Sequence, residues 1–293
     1  MWRSWIYLYL IFSVKNKAVL LLVTFSLIVS VQLRSQSPGD TLSPLRVIEK
    51  YVSTDGFPEK LRHFCCEMYQ EWTAQQTLGQ QLAPSVIREC RLLYGDTARA
   101  VVTVWLHDSI TSMDVYFYLQ HRQVWTVYAV RSLVMKDYAK AEIKRLDSIP
   151  WQERGKVYTK TNGHTWQFDH DNAVLWSASD TVLAQHFYSY SKEFRKLEQM
   201  RQSMKRKSFA ADSSGQNLLV TKKMSKTMDK LLLRAIRDDR NAPGTVLYLV
   251  GGVLDNSVGY MYQPDPSRLP QVSAGYFILI RPLGNGWYLY KTT

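Results

Sequence analysis

Four side chains able to ligate a metal fall close together in the sequence: His164, Asp169, His170 and Asp171. Imidazole and carboxylate suit zinc or manganese, and a bend after His164 would bring the two histidines together. The same Asp169-His170-Asp171-Asn172 run also reads as a polar turn between a strand and the next apolar stretch, and the sequence favours that simpler reading. No metal or cofactor is therefore expected. His107 and Asp114 are the candidate catalytic groups. An imidazole near a carboxylate can serve as a general base, the carboxylate fixing its tautomer. His107 and Asp108 cannot supply that pair, because consecutive strand residues point to opposite faces. No Gly-x-Ser-x-Gly elbow marks a serine nucleophile.

Other suggestive runs dissolve on inspection. Lys223-Met224-Ser225-Lys226-Thr227 looks like the Lys-Met-Ser-Lys-Ser loop of class I aminoacyl-tRNA synthetases, but the companion His-x-Gly-His is absent. Gly251-Gly252 lacks the Lys-Ser/Thr ending of a phosphate loop and reads as a turn or bulge between strands. Arg131 and Arg281, late in predicted strands, read as paired or edge arginines. Cys65, Cys66 and Cys90 are an odd set without metal spacing, and they read as small buried hydrophobes.

Charge is informative once mapped. The chain's net charge is +12, yet residues 41–191 carry sixteen basic and sixteen acidic side chains. Residues 192–240 carry fourteen basic and six acidic, a net of +8. Within that segment Arg201, Lys205, Arg206, Lys207, Lys222 and Lys223 form a candidate surface for anionic lipid or an acidic polymer. A solvated helix face is the plainer reading of the same residues.

The apolar run Ala18 to Val31, preceded by Lys15 and Lys17, has the layout of an export signal. Residues 1–40 are expected to be a signal peptide or a signal anchor, with the N-terminus cytoplasmic and residues 18–33 as the possible anchor. The run is short for a spanning helix. Apolar Trp5 to Val14 makes the preceding region long for a signal, which suggests a translation start nearer Val14. The remainder is expected in the periplasm or outside the cell, which removes nucleic acid as a partner.

Downstream, Ser43-Pro44 opens a helical stretch, and a second follows from Leu61 through Trp72. Period-two segments then run from Arg91 to Tyr94, Ala98 to His107, Thr111 to Leu119 and Val124 to Val134, before a helix from Lys136 to Leu146. In the second half Asn162-Gly163 predicts a hairpin joining Lys156–Thr161 to His164–Phe168. Asp180 is expected to cap one long helix with Leu183, Phe187, Tyr190, Phe194, Leu197 and Met204 on a stripe that misses only Arg201. A second helix carries Met224, Met228, Leu231 and Ala235. Strands follow at Thr245–Gly251, Val258–Tyr262, Tyr276–Arg281 and Trp287–Lys291, and Trp125 and Trp287, each opening a final strand, are expected to be buried.

Helices followed by antiparallel strands, twice over, imply an α+β protein with helices packed on antiparallel sheets. The expected parts are residues 41–149 and 150–293. The strands Thr97–Trp105, Asp114–Leu119 and Trp125–Arg131 resemble the closing strands of an NTF2-like (cystatin-like) domain, with its Trp-x-Val opening of the final strand. The resemblance covers about a hundred residues. It departs from the family's catalytic members, which place an Asp/His pair in their pocket. Two functions remain open at this point. One is a non-enzymatic cell-envelope protein that binds a protein or small ligand, or an anionic membrane surface. The other is an NTF2-like pocket hydrolase or isomerase using His107 or Asp114.

Overall fold

A computed structural model describes residues 42–68, 76–109, 112–133, 136–158, 164–207, 222–239, 242–253 and 255–293, with backbone only at 156–158 and 205–207. Expectations for residues 1–41 and for the Asn162-Gly163 turn lie outside the described residues. Among the described residues, no helix is long and apolar enough to cross a membrane.

Residues 42–293 cluster as one compact unit, built as α+β with two antiparallel sheets. Helix α1 (Pro44–Val52) starts where Pro44 predicted it, and the Ser43 side chain accepts a hydrogen bond from the Arg46 amide. Short turns at Lys60–Arg62 and Cys66–Met68 occupy part of the second predicted helical stretch, and α2 (Leu78–Gln81) is one turn. Strands β1 (Ile87–Gly95), β2 (Arg99–His107), β3 (Ser112–His121) and β4 (Trp125–Ser132) form a meander in sequence order.

Period-two alternation gives this sheet two different faces. Val102, Val104, Leu106, Phe117 and Leu119 meet Val47, Ile48, Tyr51 and Val52 of α1 in one core cluster. Val101, Tyr116, Tyr118 and Ala129 point the other way, into a core shared with the second half. Tyr118 makes that junction explicit, donating its hydroxyl to the Ile278 carbonyl at 2.6 Å.

The second half opens with α3 (Lys136–Asp147), α4 (Trp151–Tyr158) and α5 (Trp166–Ser177). This corrects the hairpin reading on both arms: Lys156–Tyr158 and Trp166–Phe168 are helical. Thr165 caps α5 by accepting from the Phe168 amide, and its buried residues Phe168, Asp169, Asn172, Ala173 and Leu175 recur at helical spacing. Two of those five are polar, which hides the period in the sequence. The long helix is also divided, into α6 (Asp180–Ser189) and α7 (Ser191–Lys207), with Tyr190 between them. Ser179, not Asp180, supplies the cap by accepting from the Val182 amide. Asp180 stands in the first turn, where the positive end of the helix dipole favours a carboxylate.

Helix α8 (Lys222–Lys230) buries Met224 and Met228 but stops short of Ala235. Leu232 adopts φ 55°, and its carbonyl is held by Asn172 Nδ2 at 2.7 Å. The left-handed residue turns the chain into β5 (Ala235–Asp238). The second sheet adds β6 (Val246–Val253), β7 (Asn256–Tyr262), β8 (Phe277–Gly284) and β9 (Trp287–Thr292), in the order β5-β6-β7-β9-β8. Gly251 and Gly252 lie inside β6 and not between strands, with a bulge marked by the register shift between Leu249 and Gly251, and Asn285-Gly286, at φ 54° and 77°, makes the β8–β9 turn. Trp287 is 2% exposed. Trp125 is only partly buried: it opens the last strand of its sheet, where its ring lies 5.0 Å from His121 and packs against the margin of the α1-side core. The three cysteines are free, with Cys66 exposed and the other two partly buried, which corrects the expectation of three core thiols.

Candidate functional site

The densest buried chemistry surrounds Asp114, one of the two candidates named from sequence. Strand β3 presents Asp114 and Tyr116 on the face turned toward the second half, β9 brings Lys291, α6 brings Asp180, and α3 brings Lys136. Lys291 Nζ lies 2.6 Å from Asp180 Oδ1, 3.4 Å from Asp114 Oδ2 and 3.0 Å from the Tyr116 hydroxyl. Tyr116 donates to Asp180 Oδ2 at 2.8 Å, and the Asp180 amide donates to Asp114 Oδ2 at 3.2 Å. Lys136 Nζ is 3.6 Å from Asp114 Oδ2, within ion-pair range but beyond hydrogen-bond length. All five side chains are buried.

Two ammonium groups against two carboxylates compensate charge, and the titration shifts follow the geometry. Burial penalises the Lys291 ammonium, but Asp180 and Asp114 outweigh it and hold its pKa above the ordinary value. Burial raises Asp114, while Lys291 and then Lys136 outweigh it and hold the carboxyl below the usual range. Lys136 goes the other way: burial and the neighbouring Lys291 push it down to about 8. Burial and both aspartates raise Tyr116, which keeps its proton to donate.

This arrangement predicts a pH effect. An unfolded lysine titrates near 10.4, so between about 8 and that value the unfolded chain binds a proton that folded Lys136 lacks. Stability from this residue therefore rises as pH climbs through 8. Relative to a Lys136→Met variant, the parent is expected to gain about 1–2 kcal/mol between about pH 8 and 9.5 in urea unfolding. A difference that stays flat across that window would show that Lys136 does not titrate there.

His107 shares the sheet face of Asp114 but is directed elsewhere. Its ring stacks on Trp105 at 3.7 Å, and Nε2 is 3.6 Å from Glu89 Oε1. The two candidates are therefore not brought together as an acid–base pair.

The metal candidates disperse along α5 and the residue preceding its cap. Asp169 is buried and pairs with Arg234 at 2.8 Å, His164 stacks on Phe168 and lies 3.7 Å from Asp229, and His170 lies between Asp147 at 3.3 Å and Asp171 at 3.2 Å. Among the described residues, no group of three or more His, Cys, Asp or Glu is placed to hold a metal ion. Arg131 is a paired arginine, donating to the Ala274 carbonyl at 2.7 Å and to Glu67 at 2.8 Å.

Arg201 leaves the candidate anion surface. It is 6% exposed and forks onto Glu198 at 2.7 and 2.6 Å, while the Tyr248 hydroxyl donates to the same carboxylate. A charged residue at the gap in an apolar stripe is here a buried, paired one. Lys205, Arg206 and Lys207 end α7, their side chains outside the described residues. Lys222 and Lys223 are exposed on α8, as is Lys226, and α7 exposes Lys192, Arg195 and Lys196. The Lys230–Glu193 ion pair joins the end of α8 to the start of α7, so the two helices run side by side.

A hollow of about 240 Å³ between α1 and β1 is lined by Glu49, Val52, Ser53, Arg88 and Cys90. That is below the roughly 300 Å³ at which small-molecule sites begin. Comparison with known protein families, curated proteins and solved structures finds no match for this chain.

The sequence signals that could have found the buried cluster were weak. Lys291 sits at the parity of Trp287 and Leu289 on β9, so a strand reading that respected alternation would have placed it inward.

Proposed function

We propose that the chain is a non-enzymatic, exported cell-envelope protein that engages an anionic partner surface through the exposed lysines and arginines of α7 and α8. The observation that carries this reading is the separation of its charges. Asp114, Asp180, Lys136 and Lys291 are consumed by one another in the core, whereas Lys192, Arg195, Lys196, Lys222, Lys223 and Lys226 all face solvent on two adjacent helices. The first half, with α1 laid across a four-stranded meander, is compatible with an NTF2-like ancestry. Pocket chemistry would need a cavity on the sheet face of Asp114, but Tyr116, Tyr118 and the second half fill that face. That filling favours binding over pocket chemistry at Asp114.

Anionic phospholipid headgroups at the face of the envelope membrane are the partner that an N-terminal export or anchor segment would put within reach. Each basic residue at such a surface contributes about 1 kcal/mol. Replacing Lys222, Lys223 and Lys226 together with Glu should therefore weaken binding of residues 42–293 to phosphatidylglycerol vesicles by about a hundredfold or more, with the unfolding midpoint unchanged. Retained affinity in a folded triple variant would reject this surface.

A further inference from the structure

We infer that the free edge of the first sheet, strand β1, is a self-complementary pairing edge for a second copy of this chain. Among the described residues, β1 is bonded only to β2, which leaves the opposite row of its backbone donors and acceptors facing outward over nine residues. Every residue of β1 is at least partly exposed, including Ile87 at 53% and Leu92 at 49%. An open strand edge of this length is a template for strand addition.

The order of side chains selects the occupant. If two β1 strands pair antiparallel about a two-fold axis at Cys90, Glu89 of each copy falls opposite Arg91 of the other, so two opposite-charge pairs form at once. On the opposite face Arg88 would meet Leu92 and the two Cys90 side chains would adjoin. Within one copy Glu89 and Arg91 make only an exposed contact along the strand, at 3.1 Å. The register shift between Leu92 and Tyr94 ends regular pairing there, which confines the contact to residues around 87–92. A two-fold contact of this kind closes on itself, so it produces a dimer and not a growing sheet.

The charge pattern provides the test. Two differently tagged full-length copies are co-expressed, and one is captured to ask how much of the other follows. Parent copies should co-purify. With Glu89→Arg in both copies, like charges face each other at both sites, and recovery should fall at least about fivefold. With Arg91→Glu in both copies it should fall similarly. A Glu89→Arg copy paired with an Arg91→Glu copy restores opposite charges at both sites and should return to parent recovery, which also shows that both variants fold. The proposal is overturned if parent copies do not co-purify, if the matched Glu89→Arg pair is recovered as well as the parent, or if the mixed pair is not rescued.

Discussion

Lys291→Met is expected to destabilise residues 42–293 by about 3–5 kcal/mol, read as a fall in the urea midpoint at neutral pH. Methionine fills similar volume, so the loss is electrical. Lys291 is the ammonium shared by Asp180 and Asp114, and its removal leaves two buried carboxylates facing each other with only the more distant Lys136 beside them. Breaking one side of a buried ion pair costs far more than the intact pair contributes, because the orphaned charge stays desolvated. Acid should narrow the gap. Asp114 has a lowered pKa in the parent, so its contribution is present at neutral pH and lost as pH falls through its folded value. In the variant the same carboxyl takes up its proton more readily, and the two proteins should converge at low pH. A loss below about 1 kcal/mol at pH 7 would show that Lys291 does not bind the two halves together.

Trp287→Ala should cost about 3–5 kcal/mol by a different route, through lost packing. The indole lies at the meeting point of both layers: its ring is 5.5 Å from Phe187 of α6 and Phe194 of α7, 4.9 Å from Tyr248 of β6 and 5.0 Å from Tyr262 of β7. None of these rings can collapse into the gap without leaving another partner. Thermal unfolding followed by near-ultraviolet dichroism measures the cost, and Trp125→Ala serves as the comparison because that ring is partly exposed. Equal losses at the two tryptophans would contradict the packing described.

The contrast between the two tryptophans shows which parts of the fold were legible in the sequence. Both open a strand after a turn, and sequence pattern alone treats them alike. Trp287 is on a strand with full strand partners on both sides, while β4 is the last strand of its sheet and its outer side meets only the short Phe64–Val127 bridge. The meander β1 to β4 and the Asn285-Gly286 hairpin were readable because alternation and turn chemistry are local. Helix α5 was not, because Asp169 and Asn172 occupy its buried face and are satisfied by residues about sixty positions away, Arg234 and the Leu232 carbonyl among them. The same holds for the core charges. Asp114 was singled out for its chemistry, but Lys291, 177 positions distant, could be assigned to it only once the two sheets were seen to share a core. Arg201 was placed on the surface by its charge, and Glu198, one helical turn before it, is what makes its burial tolerable.

Buried charge holds this protein together, and the proposed role of the exposed charge on α7 and α8 is to engage an anionic surface. The most direct measurement is co-sedimentation of residues 42–293 with neutral phosphatidylcholine vesicles and with vesicles containing phosphatidylglycerol, over a range of salt. Binding to the anionic vesicles at low ionic strength, release near about 0.15 M salt, and no binding to the neutral ones are the expected results. Failure to bind anionic vesicles at low salt, or binding that salt leaves unchanged, would contradict that role.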